Sequence, residues 1–278
     1  MSSLKDIVQI IKTITTTQDI SSLSNQILPD LITTFEKLSI NDKHKISVPL
    51  YPITINILMQ LISIKANNIL SYTSTYINSL EILSKLHHTI VNNKATLILG
   101  ENSINDNYYW KTIMILTNIL ELNKKTVSND NSIMNADYEA LSELCFKNIH
   151  DILSIWRIKY IHYYSAINTN IDNNDNNTVA SSSPSSSLST SSPALSFMHT
   201  YTQLQGPYLA QLIQTILYYL KHPSKTLVIY ALYCLFELIH LYPHLSNDWQ
   251  LFLPGVFSQL HVSCLQGYKR YDCINVHM

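Results

Sequence analysis

The chain has 278 residues, of which 46% are hydrophobic and 13% are charged, so most of it should fold around a sizeable core. Its net charge is −1 and its 18 Lys and Arg residues are scattered, which argues against direct binding to a nucleic-acid backbone. Its 4 glycines are too few and too dispersed for a phosphate-binding loop or a nucleophile elbow.

The N-terminal forty residues predict a pair of helices. Apolar residues at helical spacing run over Leu4–Ile14, and the β-branched threonines that follow should end this first helix. A second helix is expected from about Ser22 or Ser24, with Pro29 either at a kink or in the first turn. We expect Asn41–Lys43 to close this pair.

A second pair is predicted next. Pro49 and Pro52 should flank the start of a third helix, whose apolar stripe consists of Ile53, Ile57, Leu58, Leu61 and Ile62. A fourth helix from about Tyr72 to Val91 should pack antiparallel to it. The apolar group Thr96–Leu99 is interpreted as a helix end or loop, because a lone strand would have no partner.

A third pair follows in the middle of the chain. Asp106 should open a helix that ends at Asn123–Lys125, and a polar loop extends to Asn135. From Asp137 to about Ile167 the pattern predicts one long helix or two joined helices. Residues 168–195 are rich in Asn, Asp and Ser and cannot bury enough apolar surface to offset their ordering entropy, which predicts a disordered insertion. The insertion is read either as an unconstrained loop or as a phosphorylated regulatory segment around Ser183-Pro184 or Ser192-Pro193.

The most regular part of the sequence is a proline-punctuated stretch near the C-terminus. Tyr208–Leu220 predicts one helix, His222-Pro223-Ser224 a turn, and Lys225–Leu241 a second helix with the small residue Ala231 on its apolar face. A third apolar segment begins near Asp248. Antiparallel helices joined by short turns and repeated along a chain predict an all-α protein with the architecture of an α-solenoid.

No residues are predicted to form a catalytic, metal or cofactor site. His240 and His244 are four apart, but Tyr242-Pro243 interrupts the helix between them. His87 and His88 point about 100° apart on a helix, and we expect a surface or boundary role for them. A binding protein is therefore predicted rather than an enzyme.

The cysteines and the first residues predict a reducing compartment. None of the cysteines has a paired spacing, and two of them lie on apolar helix faces. The four are Cys145, Cys234, Cys264 and Cys273. No secretory signal is recognised, and the best candidate for a membrane span, Ile53–Ile64, is short and contains Asn56 and Gln60. We expect a soluble cytoplasmic chain, with the nucleus as a second location.

Two motifs carry a family resemblance. The helix pair with its Pro223 turn and Ala231 resembles a HEAT repeat. The run Trp249–Ser258, which contains Phe-Leu-Pro-Gly, and the later Gly267-Tyr268-Lys269-Arg270 resemble the N-terminal region of the Tel-two-interacting protein one family. That family supplies the large HEAT-repeat subunit of the TTT (Triple-T) co-chaperone complex.

The resemblance implies a domain order and a role. Residues 1–167 would form N-terminal helical repeats, 168–195 the insertion, 196–270 HEAT-like repeats and 271–278 a tail unlike the family. Because family members are much longer, the chain would correspond to an N-terminal portion, as in a truncated form or a gene-model fragment.

As a scaffold subunit without cofactors, it would bind the other TTT subunits and newly made phosphatidylinositol 3-kinase-related kinases. It would pass these kinases to the heat-shock chaperone system. The alternative is another helical-repeat adaptor, such as a nuclear-transport or trafficking scaffold.

Overall fold

The computed structural model describes residues 2–17, 23–63, 72–92, 106–129, 136–174 and 207–241. These parts are helical and contain no strand, which confirms the all-α prediction for the described chain. The elements are α1 (Ser2–Thr16), a π-helical segment (Leu23–Ile27), α2 (Leu28–Glu36), α3 (Ile40–Ser63), α4 (Thr73–Asn92), α5 (Asp106–Asn129), α6 (Ala136–Asn174), α7 (Pro207–Tyr219) and α8 (Lys225–Leu241).

Most predicted helices occur within a few residues of their expected bounds. The predicted second helix begins with the π-helical segment, and Pro29 lies in the first turn of α2, where its missing N–H costs nothing. Helix α5 continues to Asn129, past its predicted end, and α6 is one continuous helix. Helix α8 has the predicted bounds.

The predicted start of the third helix is wrong. Asn41–Lys43 form the first turn of α3, and Pro49 and Pro52 lie inside it. The earlier start has a local cause, because Ser39 and Asp42 cap this end reciprocally: the Asp42 N–H donates to Ser39 Oγ at 3.2 Å, and Ser39 Oγ donates to Asp42 Oδ2 at 2.8 Å. The two prolines remove two interior donors, and burial of the apolar face of α3 offsets that loss.

The helices form two layers. The first layer consists of α1, α3, α5 and α7, and the second of α2, α4, α6 and α8. Each helix packs against its hairpin partner and against the neighbouring helices of its own layer. An α-solenoid produces this pattern, because each unit buries its apolar faces mainly on adjacent units.

One continuous core runs through the stack. Its side chains include fully buried Leu58, Leu80, Leu116, Leu153 and Leu238, one from each of five helices. Helix α6 packs extensively against its partner α5 and against α4 and α8, so it joins the third pair to the second and to the fourth. The core therefore depends on α6 more than on any shorter helix.

Helix α3 corrects the expectation that the apolar stretch beginning at Ile53 is too short to be a candidate membrane span. It is long and apolar enough to cross a membrane by length and composition, with a mean hydropathy of 1.5 over an 18-residue window. Half of that window is buried inside the protein, where α3 packs against α4 and α5.

Several predictions concern residues outside the described parts. These are the segment Thr96–Leu99, the insertion beyond Asn174, and everything after Leu241, including the two family-like motifs. The first seven residues of the predicted insertion, 168–174, belong to the end of α6. The other assignments stay predictions.

Candidate functional site

A surface groove crosses the second layer. It has a volume of about 690 Å³ and is lined by α2, the start of α3, α4 and α6. Apolar side chains lie in its wall, among them Ile40, which is 63% exposed. Because the groove crosses three successive helix pairs, its shape exists only when those pairs are stacked.

Charged side chains of both signs line the groove. Lys85 of α4 forms ion pairs with Glu36 of α2 and, at 3.4 Å, with Glu81. The hydrogen bond and charge of Lys85 lower the pKa of Glu36, and the same bond raises the pKa of Lys85. The Lys43 ammonium lies 5.9 Å from the centre of the Phe35 ring. The lining of the groove can therefore present both carboxylates and ammonium groups to a polypeptide.

The second and third pairs are joined by a buried polar cluster, which we call the His87 junction. The Tyr51 hydroxyl of α3 lies 2.9 Å from His87 Nε2 of α4 and 3.1 Å from Thr112 Oγ1 of α5. His87 Nδ1 lies 3.0 Å from Asn148 Oδ1 of α6. Thus side chains from all four helices of two adjacent pairs belong to one hydrogen-bonded cluster.

The protons of the junction can be assigned from its acceptors. Asn148 Nδ2 donates to the carbonyl oxygens of Leu80 at 3.0 Å and Leu144 at 2.8 Å, so Asn148 Oδ1 is left to accept from His87 Nδ1–H. A neutral imidazole has one N–H, and Nε2 therefore accepts the Tyr51 hydroxyl proton. The network defines a single tautomer of His87.

The surface or boundary role predicted for His87 is wrong. Its side chain is 0% exposed, whereas the adjacent His88 is exposed and bonds to Asn92 at 3.1 Å. Burial lowers the pKa of His87 to about 4, although the Asp151 charge and the Asn148 hydrogen bond act in the opposite direction. His87 is neutral at physiological pH and serves as an internal connector.

The third and fourth pairs are joined differently. Arg157 of α6 donates to Glu237 Oε2 of α8 at 2.7 Å near the surface, and Ser154 Oγ donates to the other carboxylate oxygen at 3.3 Å. Inside, the Tyr219 hydroxyl donates to the Leu120 carbonyl at 3.2 Å and lies 3.2 Å from Ser142 Oγ. We call this set the Glu237 junction.

The other predicted residues are not brought into one site. Cys145 and Cys234 are buried, as expected for two thiols on apolar faces, and burial raises the pKa of both. His240 is exposed and lies 2.7 Å, through Nδ1, from the Phe236 carbonyl oxygen, while His244 is outside the described residues. Within the described ranges no three His, Cys, Asp or Glu side chains are grouped to hold a metal ion.

The comparisons with known proteins name no relative. No family model, no curated protein and no solved structure matches the chain significantly. The resemblance to the Tel-two-interacting protein one family stays a hypothesis drawn from the sequence. The described residues therefore form a groove lined by charges of both signs and two polar junctions between successive helix pairs.

Proposed function

We propose that the chain is a non-catalytic scaffold that binds another polypeptide along its second layer. The groove across α2, α4 and α6 is the observation that supports this role. Helical stacks bind partners on extended surfaces built from successive units. A groove with apolar side chains and charges of both signs can accept both the side chains and the polar backbone of an extended or helical segment.

Substitutions at the groove test this role without disturbing the core. Ile40→Asp should weaken capture of partner proteins by the tagged full-length chain, because the aspartate places a charge in an apolar contact. Val8→Asp is a matched control, since Val8 is 53% exposed on α1 of the first layer. Equal capture by both variants would place the binding surface elsewhere.

We further propose that the partners are those of the TTT co-chaperone complex. The suggestion rests on Trp249–Ser258 and Gly267–Arg270, which lie outside the described residues, and the helical stack is compatible with it. In this role the chain would work in the cytoplasm and nucleus with two other subunits and the heat-shock chaperones. It would stabilise phosphatidylinositol 3-kinase-related kinases through protein contacts.

Affinity purification of the tagged chain tests the finer proposal. Recovery of the other two complex subunits or of a giant kinase supports it. Recovery of a small GTPase, or binding to Phe-Gly repeat peptides, would instead support a transport or trafficking adaptor. Absence of TTT subunits and kinases would remove the co-chaperone role while leaving the groove variants to test general polypeptide binding.

A further inference from the structure

We propose that the His87 junction is an acid-sensitive hinge at which the second and third helix pairs separate. The inference concerns the stack itself and does not depend on any partner of the groove. His87 belongs to α4 and contacts side chains from α3, α5 and α6. Opening this interface would therefore return one buried imidazole to water.

The surroundings of His87 favour its neutral form. Its direct hydrogen-bond partners, Tyr51 and Asn148, are uncharged, and the Tyr109 ring lies with its centre 6.2 Å away. No carboxylate of the described residues bonds to either ring nitrogen. A fully buried imidazolium without a bonded counter-charge is costly, whereas the neutral ring is fully hydrogen-bonded.

Charges on the adjoining helices only partly compensate. The Asp151 carboxylate on α6 favours the charged form of His87, but it lies 3.6 Å from His150 Nδ1 and has a quarter of its side chain exposed. The Lys159 ammonium of the same helix lies 5.4 Å from the centre of the Tyr109 ring, which is itself 6.2 Å from the centre of the His87 ring. From the first-layer helices α3 and α5, the titratable groups that face His87 are the phenols of Tyr51 and Tyr109.

The protonated ring could still donate to Tyr51, because an imidazolium has a second N–H. Tyr51 would then donate to Thr112 Oγ1, and Thr112 to the Tyr108 carbonyl at 2.7 Å. Protonation therefore does not break the hydrogen bonds, and the destabilisation comes from the buried charge. The hinge is expected to open reversibly, with the helices on either side intact.

The other two interfaces contain ion pairs that persist over the same pH range. Lys85 with Glu36 joins the first and second pairs, and Arg157 with Glu237 joins the third and fourth. Free carboxylates gain protons only near pH 4, whereas a histidine exposed by opening gains one near pH 6.5. Of these three polar contacts, the His87 junction is therefore the first that mild acid affects.

The sign and size of the effect follow from linkage. The open state binds a proton more tightly than the closed state, because the pKa of His87 is lower in the closed state, at about 4. Stability of the interface is complete above the ordinary histidine pKa and is lost as the pH falls toward the folded value. The opening constant should rise about 20-fold between pH 7 and pH 5.

Nuclear magnetic resonance of the full chain with labelled histidine rings tests the first step. We expect His87 to carry its proton on Nδ1 at pH 7 and to titrate more than one pH unit below the ordinary histidine pKa of about 6.5. A proton on Nε2 at pH 7, or an ordinary histidine pKa for His87, would overturn the proposal. This measurement needs no variant.

Amide hydrogen exchange, corrected for intrinsic rates at pH 7 and pH 5, tests the hinge. Protection should fall about 20-fold where α4 faces α6, before it falls where α6 faces α8.

His87→Gln should reduce this pH dependence, and His88→Gln should keep it. These paired variants also separate the effect from His44 and His222, whose pKa values burial lowers as well. Uniform loss of protection in the wild-type chain, or unchanged pH dependence in a folded His87→Gln variant, would refute the hinge.

Discussion

The His87 junction and the Glu237 junction join successive helix pairs with polar groups, but in different surroundings. Every side chain that bonds at the first is buried, including Tyr51 and Asn148 at 0% exposure. At the second, the inner Tyr219 and Ser142 are each 3% exposed, but the outer Arg157 side chain is 40% exposed and that of Glu237 13%. A polar group sealed from water must find its partner inside the protein, whereas an exposed one can bond to water instead.

Burial, rather than the number of bonds, decides how much a polar contact contributes to stability. Disrupting a sealed junction lowers the free energy of unfolding strongly, so such a junction selects one register of the helices. A surface ion pair contributes little to that free energy. The following predictions should distinguish the two junctions by the loss in free energy of unfolding. Each is measured by urea denaturation of the full chain at neutral pH.

Asn148→Ala should be the most damaging of these changes, with a loss of about 3 kcal/mol. It leaves the Leu80 carbonyl and His87 Nδ1–H without their partner in a sealed site. Asn92→Ala is the matched control, because Asn92 is exposed on α4 and should lose less than about 0.5 kcal/mol. Equal losses would show that the junction is accessible to water.

Tyr51→Phe should cost about 2 kcal/mol, since it removes the donor to His87 Nε2 and leaves that nitrogen buried without a bond. The ring packing against Tyr109, at 5.4 Å between centres, is retained. Adding Asn148→Ala to Tyr51→Phe should cost less than the sum of the two single losses, because both act on one imidazole. Strict additivity would contradict a shared network.

Tyr219→Phe at the Glu237 junction should cost about 1 kcal/mol. The lost hydroxyl donates to the Leu120 carbonyl, but the edge-to-face contact with Phe146, at 5.0 Å between centres, remains. A loss larger than that of Tyr51→Phe would reverse the proposed ranking of the two junctions.

Glu237→Gln should have the smallest effect, below about 1 kcal/mol, because Arg157 is accessible to water. The loss should shrink further in high salt, which screens exposed charges. Denaturation at two salt concentrations measures this, with Tyr219→Phe as a variant whose loss should not depend on salt. A large, salt-independent loss would show that the ion pair behaves as a buried one.

Local patterns predicted the helices well because the periodic apolar stripe and the turn chemistry are encoded in adjacent residues. The bounds of α8, Lys225–Leu241, follow from Pro223 on one side and Tyr242-Pro243 on the other. The same reasoning fails at α3, because two prolines that are typical of a helix start lie inside the helix. The capping residues Ser39 and Asp42 were visible in the sequence and could have located it.

The His87 junction could not be found in this way. A histidine beside a second histidine on a helix with many polar residues gives no local sign of burial. Its partners are distant in the chain: Tyr51 is 36 residues from His87 and Asn148 is 61 residues from it. Thr112, which bonds to Tyr51, is 61 residues from Tyr51. The groove has the same origin, because its wall combines residues from four helices. Both features arise from packing between units.

By itself, the sequence determined that the chain forms amphipathic helices and roughly where most of them begin and end, because helix formation depends on neighbours within a few turns. Only the tertiary structure decided which polar side chains are sealed from water and which surface becomes a groove. Those outcomes depend on how α3, α4, α5 and α6 pack against one another, and this packing is made by residues that are far apart in the chain.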